Sequence, residues 1–444
     1  MLKEKHFQLL NLSPPKAEMG IRMNKKNIGS TVIGYDLNDT YAQISYLSIG
    51  EAEPETASLV LGGDQYNIPT AIRQRFGTNL WLHGKDALKS DISEAPVFTR
   101  LLDLAIKGDA LTAGEEKIDP VALLALFVKR SLSILTMQVN SNHIAAFMFT
   151  TPRVTPRVVE IIGQIAINLD LPPERVYVQS YRESIYQYVV HQPKELWNHH
   201  VLLFDYNSHM KAFHMESNKK TTPTVVFIED ENFPALQYTS GPSEQSKIEW
   251  DKQFLKIAEE VIKAQMISSI YLVGEGFKDE WANDSLKYLC RGRRVFRGNN
   301  LYGKGACYGA MEKIKPTKIS ETMVFLGEDK LKANIGLRLL RNGLESYFAV
   351  LDAGANWYEC HNSFEVILDN RPELCFLITS LTGGHVSERR IALEGLPERP
   401  FRTTRLNLEI HLESADTALL TITDLGFGEL FPASGKEWVK DIAL

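Results

Sequence analysis

Two stretches of the sequence decide the fold: VIGYDLN at residues 32–38 and VLLFDYN at residues 201–207. Aligned on Asp36 and Asp205, which lie 169 residues apart, each stretch has a mostly apolar run, an aspartate, one apolar residue and an asparagine. A turn and a second β-type run follow each of them. The pattern predicts two hairpins with an aspartate at each turn, and the repeat indicates internal duplication.

Helical and β-type patterns alternate between the two stretches. Helical periodicity covers residues 120–139, 156–168 and 183–191, and an apolar strand pattern covers residues 144–149. Such alternation is typical of an α/β domain.

A further group of elements follows the second hairpin. Residues 250–266 have an amphipathic helical pattern, which leads into an apolar strand and then into Gly274 and Gly276. A run of small residues at 303–310 predicts the start of another helix. Because glycines let a ligand approach the backbone, the order of helix, strand and Gly-x-Gly indicates a ligand site.

Together, the two Asp-centred hairpins, their helices, the Gly-x-Gly and the small-residue helix start resemble the phosphate, adenosine and connecting motifs of the actin-like ATPases. Within that superfamily the chain is most similar to the DnaK-type heat-shock chaperones, and we interpret it as a divergent bacterial branch. The resemblance implies an α/β actin-like ATPase fold at residues 29–315, with two lobes built from duplicated sheet-and-helix subdomains. It also implies a C-terminal β-sandwich.

The resemblance places ATP and Mg²⁺ in a cleft between the two lobes. Asp36 and Asp205 would hold the magnesium ion through water, and Asp205 is the candidate catalytic residue. Taken without the resemblance, a turn aspartate that caps its own backbone fits these two positions equally well. The expected nucleotide-binding residues are Asp36, Asn38, Thr40, Asn207, Ser208, Gly274 and Gly276.

Six residues depart from the family pattern. Asn38 and Asn207 replace the first glycine of each loop, and because asparagine tolerates a positive φ the turns can survive.

The other four departures affect phosphate contacts or catalysis. Asp39 and His209 stand where the family contacts phosphate, Leu88 where it has a lysine, and Ser180 where it has a glutamate. A carboxylate about 4 Å from a phosphate charge costs roughly 4 kcal/mol at an effective dielectric constant of 20. Losing the lysine removes charge neutralisation that phosphoryl transfer needs. We therefore expect at most weak Mg²⁺-dependent ATP binding, with weak or absent ATPase activity.

Three functions remain open. The favoured interpretation is a DnaK-like chaperone or scaffold with a degenerate ATP and Mg²⁺ cleft. The alternative is an active nucleotide-dependent switch ATPase. The residues of the two hairpin loops distinguish it from the degenerate cleft, because only an active enzyme needs a full set of phosphate contacts. A small-molecule kinase on the same fold fits less well, because the C-terminal region resembles a polypeptide-binding module.

A change of pattern marks the C-terminal region. Leu406, Leu408, Ile410 and Leu412 alternate with polar residues, which is the period of a half-buried strand. We expect residues 320–444 to form a β-rich, substrate-binding-like domain with these four leucine and isoleucine side chains inward. The resemblance implies a protein or polypeptide partner for this domain. The chaperones carry a helical lid after it, which we do not expect here because the sequence ends soon after the β-rich region.

The amino-terminal segment has no apolar periodicity. It contains Pro14 and Pro15, and we expect residues 1–28 to be a disordered tail. Whether translation starts at Met1 or at Met23 stays open.

Composition excludes several classes of protein. With 49 Lys and Arg against 55 Asp and Glu, the net charge of −6 lacks the basic excess that nucleic-acid binding needs. The longest wholly apolar run has eight residues, 121–128, far short of the roughly 20 that span a bilayer, so no membrane span is expected. The 4 cysteines form no C-x-x-C pair, which favours reduced thiols and a cytoplasmic location.

Histidines at 199, 200, 209 and 214 are the nearest approach to a metal-binding pattern. His209 and His214 are five residues apart, which places them on opposite faces of a strand. Without acidic or thiolate ligands at matching spacing, we interpret these histidines as turn and surface residues.

Overall fold

The computed structural model describes residues 7–8, 30–60, 63–75, 80–89, 96–113, 116–135, 144–263, 265–341, 344–369, 371–381 and 386–444. The chain divides into two compact units. One is Asn24–Val324, and the other is Phe325–Leu444 together with Met1–Met23.

The first sheet of the larger unit is built around the first Asp-containing strand. Its strands are β1 (Thr31–Leu37), β2 (Tyr41–Ser48), β3 (Glu55–Thr56), β4 (Ile68–Pro69), β5 (Ile144–Thr151) and β6 (Val176–Ser180). The order is β6-β5-β1-β2-β3, with β4 also paired to β2. Strand β1 runs antiparallel to β2 and parallel to β5, and β5 runs parallel to β6.

The second sheet is built around the second Asp-containing strand. Its strands are β7 (His200–Tyr206), β8 (His209–Asn218), β9 (Thr224–Gln237), β10 (Ile267–Val273), β11 (Arg294–Arg297) and β12 (Met323–Phe325). The order β11-β10-β7-β8-β9 repeats that of the first sheet, and β12 lies at its edge. The directions also repeat, because β7 is antiparallel to β8 and parallel to β10, which is parallel to β11. Both predicted hairpins are therefore confirmed. Asp36 and Asp205 lie at equivalent positions within the first strands, paired with Gln43 and Lys211, and not in the turns as predicted.

Helices connect the strands of this unit. They are α1 (Leu101–Lys107), α2 (Pro120–Ser131), α3 (Pro156–Asn168), α4 (Tyr181–Val190), α5 (Glu244–Ile262), α6 (Asn283–Leu289), α7 (Leu301–Ile314) and α8 (Lys318–Thr322). Shorter strands complete it at Ala71–Gln74, Trp81–His83, Val97–Thr99, Leu111–Ala113 and Glu116–Ile118. None of the helices in the part of the chain that the structure describes is long and apolar enough to cross a membrane.

Helix α5 follows directly from its sequence pattern. Ser243 caps it by accepting a hydrogen bond from the backbone N–H of Ser246. Its apolar side chains Trp250, Phe254 and Ala258 are buried in one core with Phe204 of β7. This packing fixes one face of the second sheet.

Helix α7 packs unusually close to its neighbours because of its small residues. A Cβ added to Gly305 would lie 2.0 Å from the carbonyl oxygen of Ser184 in α4. A Cβ added to Gly34 of β1 would lie 2.2 Å from the carbonyl oxygen of Gly303. The predicted small-residue helix is confirmed, and its glycines let α7 touch both β1 and α4.

The smaller unit is composed mainly of strands. They are β13 (Ala333–Arg341), β14 (Leu344–Leu351), β15 (His361–Ile367), β16 (Glu373–Ser380), β17 (Val386–Ala392), β18 (Arg405–Ser414), β19 (Thr417–Gly426) and β20 (Glu437–Ala443). Strands β14-β13-β16-β17 form one group of neighbours and β15-β18-β19-β20 another. Both groups contribute to a single apolar core.

The side chains of β18 lie as the period-two pattern predicts. Leu406, Leu408, Ile410 and Leu412 are all buried in this core.

The amino-terminal segment is described at two residues. Phe7–Gln8 forms a short strand that pairs parallel to Leu339 and Leu340 of β13, and Gln8 also pairs with Ile367 of β15. At these two residues the structure differs from the expected disordered tail, because their backbone hydrogen bonds are made within the sheet. The rest of residues 1–28 lies outside the described residues.

Candidate functional site

The two repeated aspartates lie near the carboxyl ends of the central strands of the two sheets. Asp36 is paired with Thr150 of β5, and Asp205 is paired with Val273 of β10. The exposed fraction of Asp36 is 0% and that of Asp205 is 8%. A buried carboxylate needs hydrogen bonds or a counter-ion, so the contacts of these two side chains decide what the site can do.

A tyrosine at the start of α4 binds the first aspartate. Ser180 caps the helix by accepting a hydrogen bond from the N–H of Glu183, and Tyr181 is the first helical residue. The Tyr181 hydroxyl donates to Oδ1 of Asp36 at 2.6 Å and accepts from Nδ2 of Asn38 at 2.9 Å.

A tyrosine at the start of α7 binds the second aspartate in the same way. The Tyr302 hydroxyl donates to Oδ2 of Asp205 at 2.7 Å. Nδ2 of Asn207 donates to Oδ1 of the same carboxylate at 2.7 Å.

The two tyrosine rings join the two aspartates. Their centroids are 3.8 Å apart and their planes differ by 9°, so the rings stack face to face. We call the set Asp36, Tyr181, Tyr302 and Asp205 the tyrosine bridge. It brings the two predicted metal-binding residues together, but hydroxyl and amide donors occupy three of their four carboxylate oxygens.

The charge state of the bridge follows from its burial. Burial, with a further contribution from the charge of Asp205, raises the pKa of Asp36 to about 8, although the Tyr181 hydrogen bond opposes this shift. Oδ2 of Asp36 is buried without a hydrogen-bond partner among the described residues. Burial also raises the pKa of Asp205 and holds the pKa values of Tyr181 and Tyr302 well above the usual range. These shifts favour the protonated form of Asp36 and the neutral form of both tyrosines near neutral pH.

The remaining loop residues of the two hairpins serve mainly to close their turns. Oδ1 of Asn38 accepts from the backbone N–H of Thr40 at 2.9 Å, and Thr40 itself is exposed. Oδ1 of Asn207 accepts from the backbone N–H of Glu275 at 3.1 Å. Ser208 is exposed and its hydroxyl lies 3.1 Å from Nδ1 of the neighbouring His209.

The two glycines after β10 are explained by close packing. A Cβ on Gly274, whose φ is 107°, would lie 2.7 Å from the carbonyl oxygen of Tyr206. A Cβ on Gly276 would lie 2.3 Å from the Tyr206 ring. The glycines lie where the Gly-x-Gly pattern predicts, and each one accommodates Tyr206.

A polar chain also links the two sheets beside the bridge. Nε2 of Gln43 in β2 donates to Oδ1 of Asn67 at 2.5 Å, and Nδ2 of Asn67 donates to the carboxylate of Glu275. This link, like the bridge, depends on side chains from distant parts of the sequence.

Of the four departures that affect phosphate contacts or catalysis, three make local hydrogen bonds through their side chains in this structure. Oδ1 of Asp39 accepts from the backbone N–H of Asp103 at 2.8 Å, at the start of α1. Leu88 is half exposed, Ser180 is the cap of α4, and Nε2 of His209 lies 3.2 Å from Oδ1 of Asn232.

Sequence reasoning did not identify Tyr181 and Tyr302. The sequence did carry one signal, a large aromatic residue at the start of a predicted helix. Tyr181 follows Ser180, and Tyr302 precedes the small-residue run at 303–310. Their shared role depends on a contact between residues 121 positions apart. A single sequence does not display that contact.

Comparison with known families gives two matches. The chain belongs to a family of unknown function (DUF5716), whose C-terminal model matches residues 53–328. A domain of unknown function (DUF8552) matches residues 330–444. No curated protein matches the chain. The two matches meet within a few residues of the boundary between the structural units at Val324 and Phe325.

Proposed function

We propose that this chain is a DnaK-like chaperone or scaffold of the actin-like ATPase fold, with a nucleotide cleft that has lost its catalytic function. The tyrosine bridge is the observation that carries the proposal. It uses the two carboxylates of the expected Mg²⁺ site as hydrogen-bond acceptors for the protein's own side chains.

The actin-like fold is supported by the repeat in the larger unit. Its two sheets have the same strand order and the same strand directions, and an aspartate lies at the same point of each central strand. The likeness between VIGYDLN and VLLFDYN is thus accompanied by a likeness in topology.

The bridge opposes nucleotide binding in two ways. First, Mg²⁺ prefers ionised carboxylates, whereas burial raises the pKa of Asp36 to about 8 and so favours its protonated form near neutral pH. Second, opening the bridge costs about 1–3 kcal/mol for each hydrogen bond and about 0.5–1.5 kcal/mol for the stacked rings. A total of roughly 4 kcal/mol lowers affinity about a thousandfold.

The partner is proposed to be a protein or polypeptide that binds the smaller unit. This is supported by large apolar side chains exposed there, among them Leu344, Tyr347, Phe401 and Leu430. A cytoplasmic location is proposed as well. It is supported by the cysteines, since no disulfide joins Cys290, Cys307, Cys360 or Cys375 in the part of the chain that the structure describes.

The test is to measure ATP and ADP binding to the full chain, with and without Mg²⁺, together with phosphate release. We expect dissociation constants of about 1 mM or weaker, and phosphate release equal to that of Asp205→Asn. Asparagine is the matched control, because its amide oxygen can still accept from Tyr302. Turnover that is well above background and is abolished in Asp205→Asn would contradict the proposal and favour an active switch ATPase.

A further inference from the structure

Three side chains with metal-binding atoms meet at the end of the second sheet opposite the tyrosine bridge. His200 is the first residue of β7, whereas Asp205 is the sixth, which separates them by about 17 Å along the strand. His214 and Glu216 lie on β8. The proposed function uses none of these three residues.

The register of the hairpin places all three on one face of the sheet. Leu202 is paired with His214, so His200, two residues earlier on β7, lies opposite Glu216, two residues later on β8. Side chains two apart on a strand share a face. This is why histidines fourteen residues apart meet, although the spacing of His209 and His214 argued against a metal site.

The distances between the ligand atoms are those of a compact cluster. Nδ1 of His200 lies 2.9 Å from Nε2 of His214. Oε1 of Glu216 lies 3.4 Å from Nδ1 of His214 and 4.0 Å from Nδ1 of His200. One ligand atom from each residue can be chosen so that all lie within 4.8 Å of one another.

One ion takes only one nitrogen of the His214 ring, so the relevant limit is the 4.8 Å within which one ligand atom from each residue lies. Side-chain rotation brings three such atoms to the spacing of a tetrahedral ion. Zn²⁺ binds histidine nitrogen at about 2.0–2.1 Å, so two of its nitrogen ligands lie about 3.3 Å apart. Two histidines and one carboxylate are a ligand set that zinc uses in proteins. Side-chain exposures of 34% for His200, 17% for His214 and 46% for Glu216 leave the cluster accessible from solution.

The surrounding charge also favours a cation. Glu229 of β9 is paired with His214 in the sheet and is exposed. It supplies a second carboxylate next to the cluster, and its negative charge is close enough to favour a positive charge at His214.

We propose that His200, His214 and Glu216 bind a divalent transition-metal ion of the zinc type. The ion takes the place of the hydrogen bond between the two imidazoles, whose proton is released, and cross-links the outer ends of β7 and β8. Glu229 or water completes its coordination.

The experiment uses the full chain after treatment with a chelator and its removal. Co²⁺ is added as a spectroscopic probe, and Zn²⁺ binding is measured by calorimetry. We expect visible absorption typical of tetrahedral Co²⁺, together with a higher Tm in the presence of Zn²⁺. His214→Gln should lose one bound ion, or weaken its binding at least about tenfold, and should lose the Tm increase.

The matched control is His209→Gln, on the same strand as His214 but bonded to Asn232. It should bind the metal as the unchanged protein does. His200→Gln serves as a second test if His214→Gln fails to fold. Absence of metal binding in the unchanged protein would overturn the proposal, and so would His200→Gln and His214→Gln variants that bind the metal as tightly as the unchanged protein.

Discussion

At the scale of single residues, burial determines the chemistry of Asp36. The pKa of its carboxyl is raised to about 8 chiefly because no water reaches it. The folded state therefore binds this proton more tightly than the unfolded state, in which the pKa is about 4. The contribution of this proton to the free energy of unfolding is fully present below the pKa that Asp36 has in the unfolded state. It is lost as the pH rises through the pKa of Asp36 in the folded state.

This fall in stability with rising pH gives a prediction for Asp36→Asn. The amide does not titrate and can still accept the Tyr181 hydrogen bond, so the variant should lose less stability than the unchanged protein between pH 5 and pH 9. We expect its Tm at pH 9 to exceed that of the unchanged protein by at least about 2 °C. Thermal unfolding at several pH values measures the difference.

Asp64→Asn is the matched control for Asp36→Asn. Asp64 also accepts a hydrogen bond from a tyrosine, Tyr66, at 2.9 Å, but this pair is exposed. The control should leave the pH profile unchanged. Identical profiles for all three proteins would show that Asp36 does not bind its proton more tightly in the folded state.

At the scale of elements, the sequence predicts what depends on local pattern. The hairpins around Asp36 and Asp205 are strands with turn residues between them, and each is encoded within a short segment. The tyrosine bridge and the His200–His214 pair depend instead on tertiary packing or strand register. Residue spacing alone therefore predicted the positions of the aspartates but not the side chains that bind them.

Helix α7 allows a test of the effect of tertiary packing against that of local helix propensity. An alanine in place of a glycine inside a helix usually stabilises it by about 1 kcal/mol. At Gly305 the new Cβ would meet the backbone of α4 at 2.0 Å, so we expect Gly305→Ala to destabilise the protein by about 1–3 kcal/mol. Urea unfolding gives the free energy.

Gly163→Ala is the control for this change. Gly163 lies inside α3, it is exposed, and nothing lies within 4 Å of its added Cβ. This variant should be more stable than the unchanged protein by about 0.5–1 kcal/mol. Stabilisation by both substitutions would mean that α4 and α7 are not in tight contact.

At the scale of the whole molecule, the chain is divided into two units that each have their own core. The smaller unit contains an ion pair with little access to solvent. Nη1 and Nη2 of Arg399 donate to the two carboxylate oxygens of Asp424 at 2.7 Å each, and the side chains are 5% and 0% exposed. Burial alone would raise the pKa of Asp424, but the hydrogen bonds from Arg399 and Ser434 overcome it and hold that pKa well below its usual range.

The Arg399–Asp424 pair provides a test of whether the two units unfold independently. Arg399→Met leaves Asp424 as a buried charge without its partner, which costs about 3–5 kcal/mol. Arg402→Met removes a more exposed pair, with Asp369 at 2.8 Å, and should cost at most about 1 kcal/mol. Hydrogen exchange followed by mass spectrometry should show that Arg399→Met loses protection within Phe325–Leu444 and keeps it within Asn24–Val324. Equal losses in both units would mean that they unfold together, because a defect confined to one core reaches the other only through cooperative unfolding of the whole chain.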